Sequence, residues 1–188
     1  MKHLLRFAVV IMAVMVMGSC EKDPKQNEDN TGTLRLKTGT PTTDCSDETA
    51  WANGPRYLTK GNWATFIAVP ATLYNFGIDP DPTPSFIIYA GKTGEAGRVY
   101  FYNGPNGSIR IIIRLLSGCF SFQNVTEAIK IQGYTVPPFG VSPVPGLFTT
   151  YKGNGTYNAG QDFWYVDVAP FAYYGIHLDL KYCCVEPL

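Results

Sequence analysis

Histidine is nearly absent from this sequence, and its scarcity limits the chemistry that the chain can perform. Only 2 of the 188 residues are histidines, and the chain has no G-x-S-x-G, H-E-x-x-H, C-x-x-C or glycine-rich phosphate-binding motif. The chain therefore has almost none of the residues that triad hydrolases and the usual kinds of zinc site require. We expect neither a cofactor nor a bound metal.

Net charge and long apolar runs are missing as well. The 15 Lys and Arg balance the 15 Asp and Glu, and nucleic-acid-binding domains generally need a basic patch, so we expect no nucleic acid as a partner. The apolar run from Phe7 to Met17 has eleven residues, whereas a membrane-spanning helix needs about 20. The sequence therefore predicts no stable membrane helix.

The amino terminus has the features of a lipoprotein signal. Lys2 and Arg6 precede the apolar run, and Met17-Gly18-Ser19-Cys20 follows it. This order is typical of a signal peptide, and its last four residues resemble the lipobox of bacterial lipoproteins, with Met in place of the usual Leu. The resemblance implies cleavage after residue 19 and attachment to a membrane through a lipid on Cys20. The alternative is an ordinary secretory signal in which Cys20 is incidental.

The ten residues after Cys20 contain no apolar side chain, and such a stretch is typical of a flexible tether. Its acidic character resembles the surface-export signal of Bacteroidetes lipoproteins, which implies display on the outer face of the outer membrane. We therefore divide the chain into a signal peptide (1–19), an acidic tether (20–31) and one domain (32–188).

The domain is predicted to be all-β. Glycine (19) and proline (14) are frequent, no convincing helical period occurs, and short β-branched and aromatic segments recur between turns. We expect a disulfide-stapled β-sandwich of about nine mostly antiparallel strands. The predicted strands cover residues 33–37, 62–69, 85–90, 98–102, 108–116, 120–122, 128–134, 147–151, 163–168 and 175–182. The proline-rich segments 79–84 and 136–146 are predicted surface loops.

The clearest element is a hairpin between residues 98 and 116. Its turn, Asn103-Gly104-Pro105-Asn106-Gly107, supplies two Asn-Gly pairs and a proline, which provide the positive φ angles and the fixed bend of a tight connection. One face of the return strand carries Ile109, Ile111, Ile113 and Leu115. Alternation predicts that this face points to the core.

Four cysteines of the domain are expected to form two disulfides in an oxidising environment. They are Cys45, Cys119, Cys183 and Cys184. Neighbouring residues of a strand face opposite sides, so we expect no bond between Cys183 and Cys184. Cys45 and Cys119 are each predicted to bond one of that pair, in either order.

Enzymatic alternatives rest on few residues. His177 shares a strand face with Asp179, and that pair could belong to a triad, although a half-exposed strand histidine is the simpler interpretation. A glycoside hydrolase needs two carboxylates ~5–10 Å apart, which Asp162, Asp167 and Asp179 could supply. Such pairs arise in any β domain, so we expect a protein that is not an enzyme.

Aromatic side chains are the strongest functional signal, because flat rings on a rigid sheet supply contact area at low entropic cost. In the segment 162–167, Phe163 and Tyr165 face opposite to Trp164, so the core cannot hold all three rings. The predicted ligand-contacting residues are Trp164, Phe163, Tyr165, Tyr173 and Tyr151. The leading hypothesis is a surface-anchored module that binds a glycan or a partner protein.

Two further resemblances bear on location and assembly. The strings Glu48-Thr49-Ala50-Trp51-Ala52, Ile88-Tyr89-Ala90-Gly91 and Ala96-Gly97-Arg98-Val99 resemble a β-module of Bacteroidetes surface proteins, which implies a location but no activity. Gly32 to Lys37 resembles the first strand of fimbrillin-type pilus subunits. That likeness implies the alternative function, a structural or accessory subunit of a surface assembly.

Overall fold

Twelve β-strands make up the framework of this computed structural model, which describes residues 45–77 and 84–183. The strands are β1 (Ser46–Ala52), β2 (Ile67–Ala68), β3 (Tyr74–Asn75), β4 (Phe86–Ala90), β5 (Gly94–Asn103), β6 (Ile109–Leu115), β7 (Phe120–Phe122), β8 (Ile129–Tyr134), β9 (Tyr151–Gly153), β10 (Thr156–Asn158), β11 (Phe163–Val168) and β12 (Tyr173–Tyr182). The signal peptide, the tether with Cys20, the strand predicted at 33–37 and Cys184 lie outside the described residues.

All twelve strands belong to one sheet, which curls into a half-barrel. Nine follow the continuous order β10-β11-β6-β5-β4-β1-β12-β8-β9, while β2 and β7 pair with β12, and β3 runs parallel to β5. The end strands β9 and β10 are joined by Asn154-Gly155 alone, so the two ends of the curled sheet meet at this turn. The predicted all-β, mostly antiparallel and disulfide-stapled class is confirmed, with the core enclosed by a single curved sheet.

The predicted hairpin is confirmed as β5 and β6, which pair from Gly97↔Leu115 to Asn103↔Ile109. In its connection, Asn106 and Gly107 adopt φ angles of 55° and 77°, the left-handed region that Asn and Gly tolerate best. A Cβ atom on Gly97 would lie 2.2 Å from the carbonyl oxygen of Arg114. Glycine at position 97 therefore allows the two strands to approach.

The inner face of the sheet holds the main apolar core, as alternation predicts. Ile109, Ile111, Ile113 and Leu115 of β6 are all buried there. They pack with alternate residues of the neighbouring strands, among them Ile176 and Leu178 of β12. The alternation of side chains with a period of two therefore accounts for which residues form the inner core.

Two smaller apolar clusters cover the outer face. The first contains Trp51 of β1 together with Tyr57 and Phe66 from the loop 53–66, which folds back over the sheet. The second surrounds Ile112 and Phe163 at β6 and β11. Both faces of the sheet are therefore partly buried.

Several strands differ from the prediction: β5 begins at Gly94 rather than at residue 98, and the sequence did not predict β1, β3 or β10. Two further predicted segments are shorter in the structure. Only Ile67–Ala68 of the segment 62–69 is a strand, because the Asn62 side chain accepts a hydrogen bond from the Ala64 backbone N–H (3.0 Å) and turns the chain there. In the predicted segment 147–151, Leu147 belongs to the 3₁₀ turn Pro145–Leu147, and only Tyr151 is part of a strand.

A disulfide between Cys45 and Cys183 joins the start of β1 to the end of β12. The two strands pair in antiparallel register from Ser46↔Tyr182, which brings the two Cα atoms within 4.5 Å. Cys45 thus bonds one of the adjacent cysteines, as predicted. Cys119 is also disulfide-bonded, and its predicted pairing with Cys184 lies outside the described residues.

Candidate functional site

The five predicted ligand-contacting aromatics lie on different surfaces of the curled sheet. Trp164 and Tyr151 pack against the inner core, whereas Phe163 and Tyr165 belong to the outer cluster at β11. Tyr173 packs in the other outer cluster. The predicted opposition of Trp164 to its two neighbours is confirmed, and the five rings form no common site.

Trp164 is enclosed by other rings. Tyr157 of β10 lies 4.6 Å from it and Phe122 of β7 lies 5.0 Å away, centroid to centroid. Tyr157 is 49% exposed, and its hydroxyl donates a hydrogen bond to Asp162 (2.8 Å). Trp164 and Phe122 are only partly buried, and Tyr157 is the most exposed ring of this group.

The three carboxylates considered for hydrolysis have separate partners. Asp167 accepts two hydrogen bonds from Arg110, at 2.8 and 2.7 Å, and these raise the pKa of the guanidinium. The Arg110 guanidinium also lies 4.3 Å from the ring centroid of Tyr165. Asp179 accepts from Lys130, and Asp162 accepts from the Tyr157 hydroxyl. Each carboxylate thus has a local structural partner.

His177 is buried rather than half-exposed, at 7% exposure, because the chain folds back over the outer face of β12. Its Nδ1 atom makes no hydrogen bond and lies 3.7 Å from Asp179, and its ring meets the edge of Trp51 at 5.1 Å. Burial lowers the pKa of His177 to about 4; Asp179 raises that pKa and Lys130 lowers it further. The imidazole is therefore neutral at pH 7.

The most exposed apolar side chains lie together in one proline-rich loop, residues 135–147, which we call the apolar ridge. Its exposed members are Val136 (67%), Phe139 (64%), Val141 (46%), Val144 (52%) and Leu147 (74%). Four prolines, at positions 137, 138, 143 and 145, lie in the same segment. Apolar surface concentrated in this way marks an interaction site in soluble domains.

Hydrogen bonds and ring contacts hold the ridge in place. The Gly140 N–H donates to the carbonyl oxygen of Tyr57 (2.8 Å), and the Phe139 ring meets the edge of Phe66 at 5.1 Å. At the far end, the 3₁₀ turn Pro145–Leu147 leads into Phe148, which is 4% exposed and packs against Trp51. The ridge is therefore anchored at its middle and at its carboxyl end, and its prolines restrict the backbone between.

The base of the ridge is closely packed. The Tyr57 hydroxyl donates to the Tyr134 hydroxyl (3.2 Å), and burial together with this hydrogen bond raises the pKa of Tyr57. A Cβ atom on Gly175 would lie 1.9 Å from the Tyr57 hydroxyl oxygen. The bare backbone of β12 at this position thus makes room for the tyrosine that supports the ridge.

Open grooves flank Phe139 on both sides. One, of about 470 Å³, is lined by residues 56–59 together with Phe139 and Gly140. The other, also about 470 Å³, is lined by residues 133–139 together with Val141 and Phe171. Phe139 therefore stands as a wall between two concave surfaces.

No family model, curated protein or solved structure matches the chain. In residues 45–77 and 84–183, no group of three or more His, Cys, Asp or Glu is placed to hold a metal ion. The same residues contain no helix with the length and apolar character needed to span a membrane.

The sequence predicts the loop 136–146 but not the ridge. The signal was present in the apolar residues that alternate with the prolines, at 136, 139, 141, 144 and 147. Apolar residues in a loop are usually buried beneath it, so only the structure shows that these five point outward.

Proposed function

We propose that this chain is a surface-anchored lipoprotein whose β domain is a non-enzymatic binding module for a partner protein. The observation that carries the proposal is the apolar ridge, with five large exposed apolar side chains on an anchored loop. Full burial of one such side chain is worth about 1.5–3 kcal/mol. Because the five side chains are 46–74% exposed, a partner that covers the ridge gains a part of this energy from each of them.

Rigidity makes the exposed apolar surface suitable for binding. Ordering flexible side chains and loops opposes association, and a surface that is already held loses less entropy when a partner covers it. The contact of Phe139 with Phe66 and the hydrogen bond of Gly140 to Tyr57 hold the middle of the ridge against the loop 53–66. Phe139 is therefore the expected binding hot spot, because aromatic anchors in fitted pockets dominate interface energies.

A protein partner fits this surface better than a glycan does. Saccharides are held by aromatic rings together with convergent polar groups, whereas the exposed ridge side chains are mostly aliphatic. The five aromatics predicted to contact a ligand point to different surfaces, so they form no ring platform for a glycan. Grooves on both sides of Phe139 can receive apolar side chains of the partner.

The anchor is the second part of the proposal. A signal peptide of residues 1–19, lipidation at Cys20 and an acidic tether would present the module on the outer face of the outer membrane. Support comes from the lipobox-like Met17-Gly18-Ser19-Cys20 and the apolar-free stretch after it. Replacing Cys20 by Ala is expected to abolish lipid labelling and release the protein from the membrane fraction; a labelled, membrane-bound C20A variant would contradict the anchor.

Site-specific photo-crosslinking tests the binding surface. A photoreactive phenylalanine analogue replaces Phe139 in the full chain, expressed in its native envelope, and the matched control places it at Tyr157, an exposed aromatic on β10. We expect one discrete heterologous adduct from position 139 and none from position 157.

Three outcomes would overturn the proposed function. They are the absence of an adduct from position 139, an equal adduct from position 157, and an adduct with the mass of two copies of this chain. The last result would instead support the surface-assembly alternative.

A further inference from the structure

A second, smaller pocket lies on the outer face beside the loop 53–66. β1 and β4 pair there through Trp51↔Tyr89, and the loop folds back next to these two rings. The pocket has a volume of about 110 Å³. Its main lining residues are Trp51, Asn53, Arg56, Trp63, Tyr89 and Lys92.

The wall of this pocket carries positive charge that nothing in it neutralises. Arg56 and Lys92 line it, and no Asp or Glu does. Neither cation forms a salt bridge within residues 45–77 and 84–183. The chain as a whole is neutral, so two unpaired cations in one concavity produce a local field that attracts an anion.

Aromatic rings form much of the remaining wall. Trp51 is fully packed and supports the floor, while Trp63 and Tyr89 are partly exposed. Asn53 adds an amide that can both donate and accept hydrogen bonds. The exposed lining of this small pocket is therefore mainly polar, with two partly exposed rings beside the two cations and the amide.

We propose that this pocket binds the carboxylate-bearing terminal ring of an acidic saccharide. Arg56 and Lys92 hold the carboxylate, since charge-assisted hydrogen bonds from a guanidinium are strong and directional. Trp63 and Tyr89 contact the face of the sugar ring. The site shares Arg56 with one groove beside the apolar ridge but does not depend on the protein partner proposed above.

The rings favour a sugar over an acidic peptide. An Asp or Glu side chain would use the two cations and leave the exposed faces of Trp63 and Tyr89 without a partner. A pocket of about 110 Å³ also admits a terminal group rather than an extended chain.

The test is calorimetric titration of the purified full chain with its disulfides intact. The probes are trimers of galacturonic acid and of glucuronic acid, a sialylated trisaccharide, a neutral galactose trimer and a glutamate tripeptide. At least one acidic saccharide is expected to bind at least about tenfold more tightly than the neutral trimer and the peptide, because hydrogen bonds to charged groups are worth about that factor.

Variants assign the binding to this pocket. Arg56→Gln and Lys92→Gln are each expected to weaken binding about tenfold, and Lys60→Gln, the same charge change in the same loop, is expected to leave it unchanged. Thermal melting checks that each variant is folded. Lys92→Gln tests this pocket more specifically than Arg56→Gln does, because Arg56 also lines the groove beside Phe139.

Three results would overturn the inference. One is that no acidic saccharide binds more tightly than the neutral trimer. Another is that the glutamate tripeptide binds as tightly as the best saccharide. The third is that Lys60→Gln weakens binding as much as Lys92→Gln does.

Discussion

Acidification is expected to destabilise the domain through His177, because the folded protein holds this imidazole in its neutral form. The side chain is 7% exposed and lies against Trp51 of β1. The charged groups that face it are Asp179 on its own strand and Lys130 on β8. Their effects on its pKa oppose one another, so burial decides the direction.

The direction in which stability changes with pH follows from which state, folded or unfolded, binds the proton. The ordinary pKa of 6.5 applies to the unfolded chain and the value of about 4 to the folded one, so between these pH values only the unfolded state binds the proton. Stability from this group is complete above pH 6.5 and is lost as the pH falls to 4. The total loss is about 3 kcal/mol, at about 1.4 kcal/mol per pH unit.

Urea denaturation at several pH values between 4 and 7.5, at constant ionic strength, measures this loss. In His177→Gln, the new side chain contributes the same amount to the free energy of unfolding at every pH, because glutamine does not titrate. Subtracting the variant's stability curve from that of the wild type therefore removes the contribution of the carboxylates and leaves that of the histidine. A difference that does not change between pH 4.5 and 6.5 would refute the reasoning. So would an imidazole pKa of 6.5 or above in the folded protein, measured by NMR.

Three further predictions concern stability and are checked by calorimetry or urea denaturation. Replacing both cysteines of the Cys45–Cys183 pair by Ala is expected to cost up to about 5 kcal/mol, since the bond closes a loop of sequence separation 138; an unchanged melting temperature would contradict this. Gly175→Ala places a Cβ atom 1.9 Å from the Tyr57 hydroxyl and is expected to cost about 1–3 kcal/mol, whereas a neutral effect would show that the site relaxes freely. Leu147→Ser, at 74% exposure, should change stability by no more than about 0.5 kcal/mol, while the buried Ile113→Ala costs about 2–5 kcal/mol; a large cost at position 147 would mean that the ridge serves the fold.

Local chemistry made the hairpin, the inner face and one disulfide predictable. The Asn106-Gly107 pair adopts the positive φ angles predicted for the turn, whereas Asn103 ends β5 and Gly104 has a φ of −90°. A period of two in β6 fixes which side chains share a face. The opposite orientation of neighbouring strand residues likewise favoured a bond from Cys45 to one of the two adjacent cysteines. Each of these features depends on a few residues close in sequence.

Contacts between distant segments account for what the sequence did not reveal. The alternation of side chains along the strands predicts that Trp51 and His177 share the outer face. It does not predict that the loop 53–66 covers that face. The same limit applies to Phe163, which was expected to contact a ligand and is 1% exposed in the outer cluster. The outward direction of the ridge side chains depends on the contact of Phe139 with Phe66, and these residues are far apart in the chain.

The affinity of the crosslinked partner for three forms of the full chain tests the central claim most directly. The forms are wild type, Phe139→Ser and the matched control Tyr157→Ser, all measured with the purified partner by calorimetry. We expect Phe139→Ser to weaken binding at least about 30-fold, the effect of losing a hot spot of about 2 kcal/mol, and Tyr157→Ser to stay close to wild type. Equal affinities for the wild type and Phe139→Ser would contradict the claim.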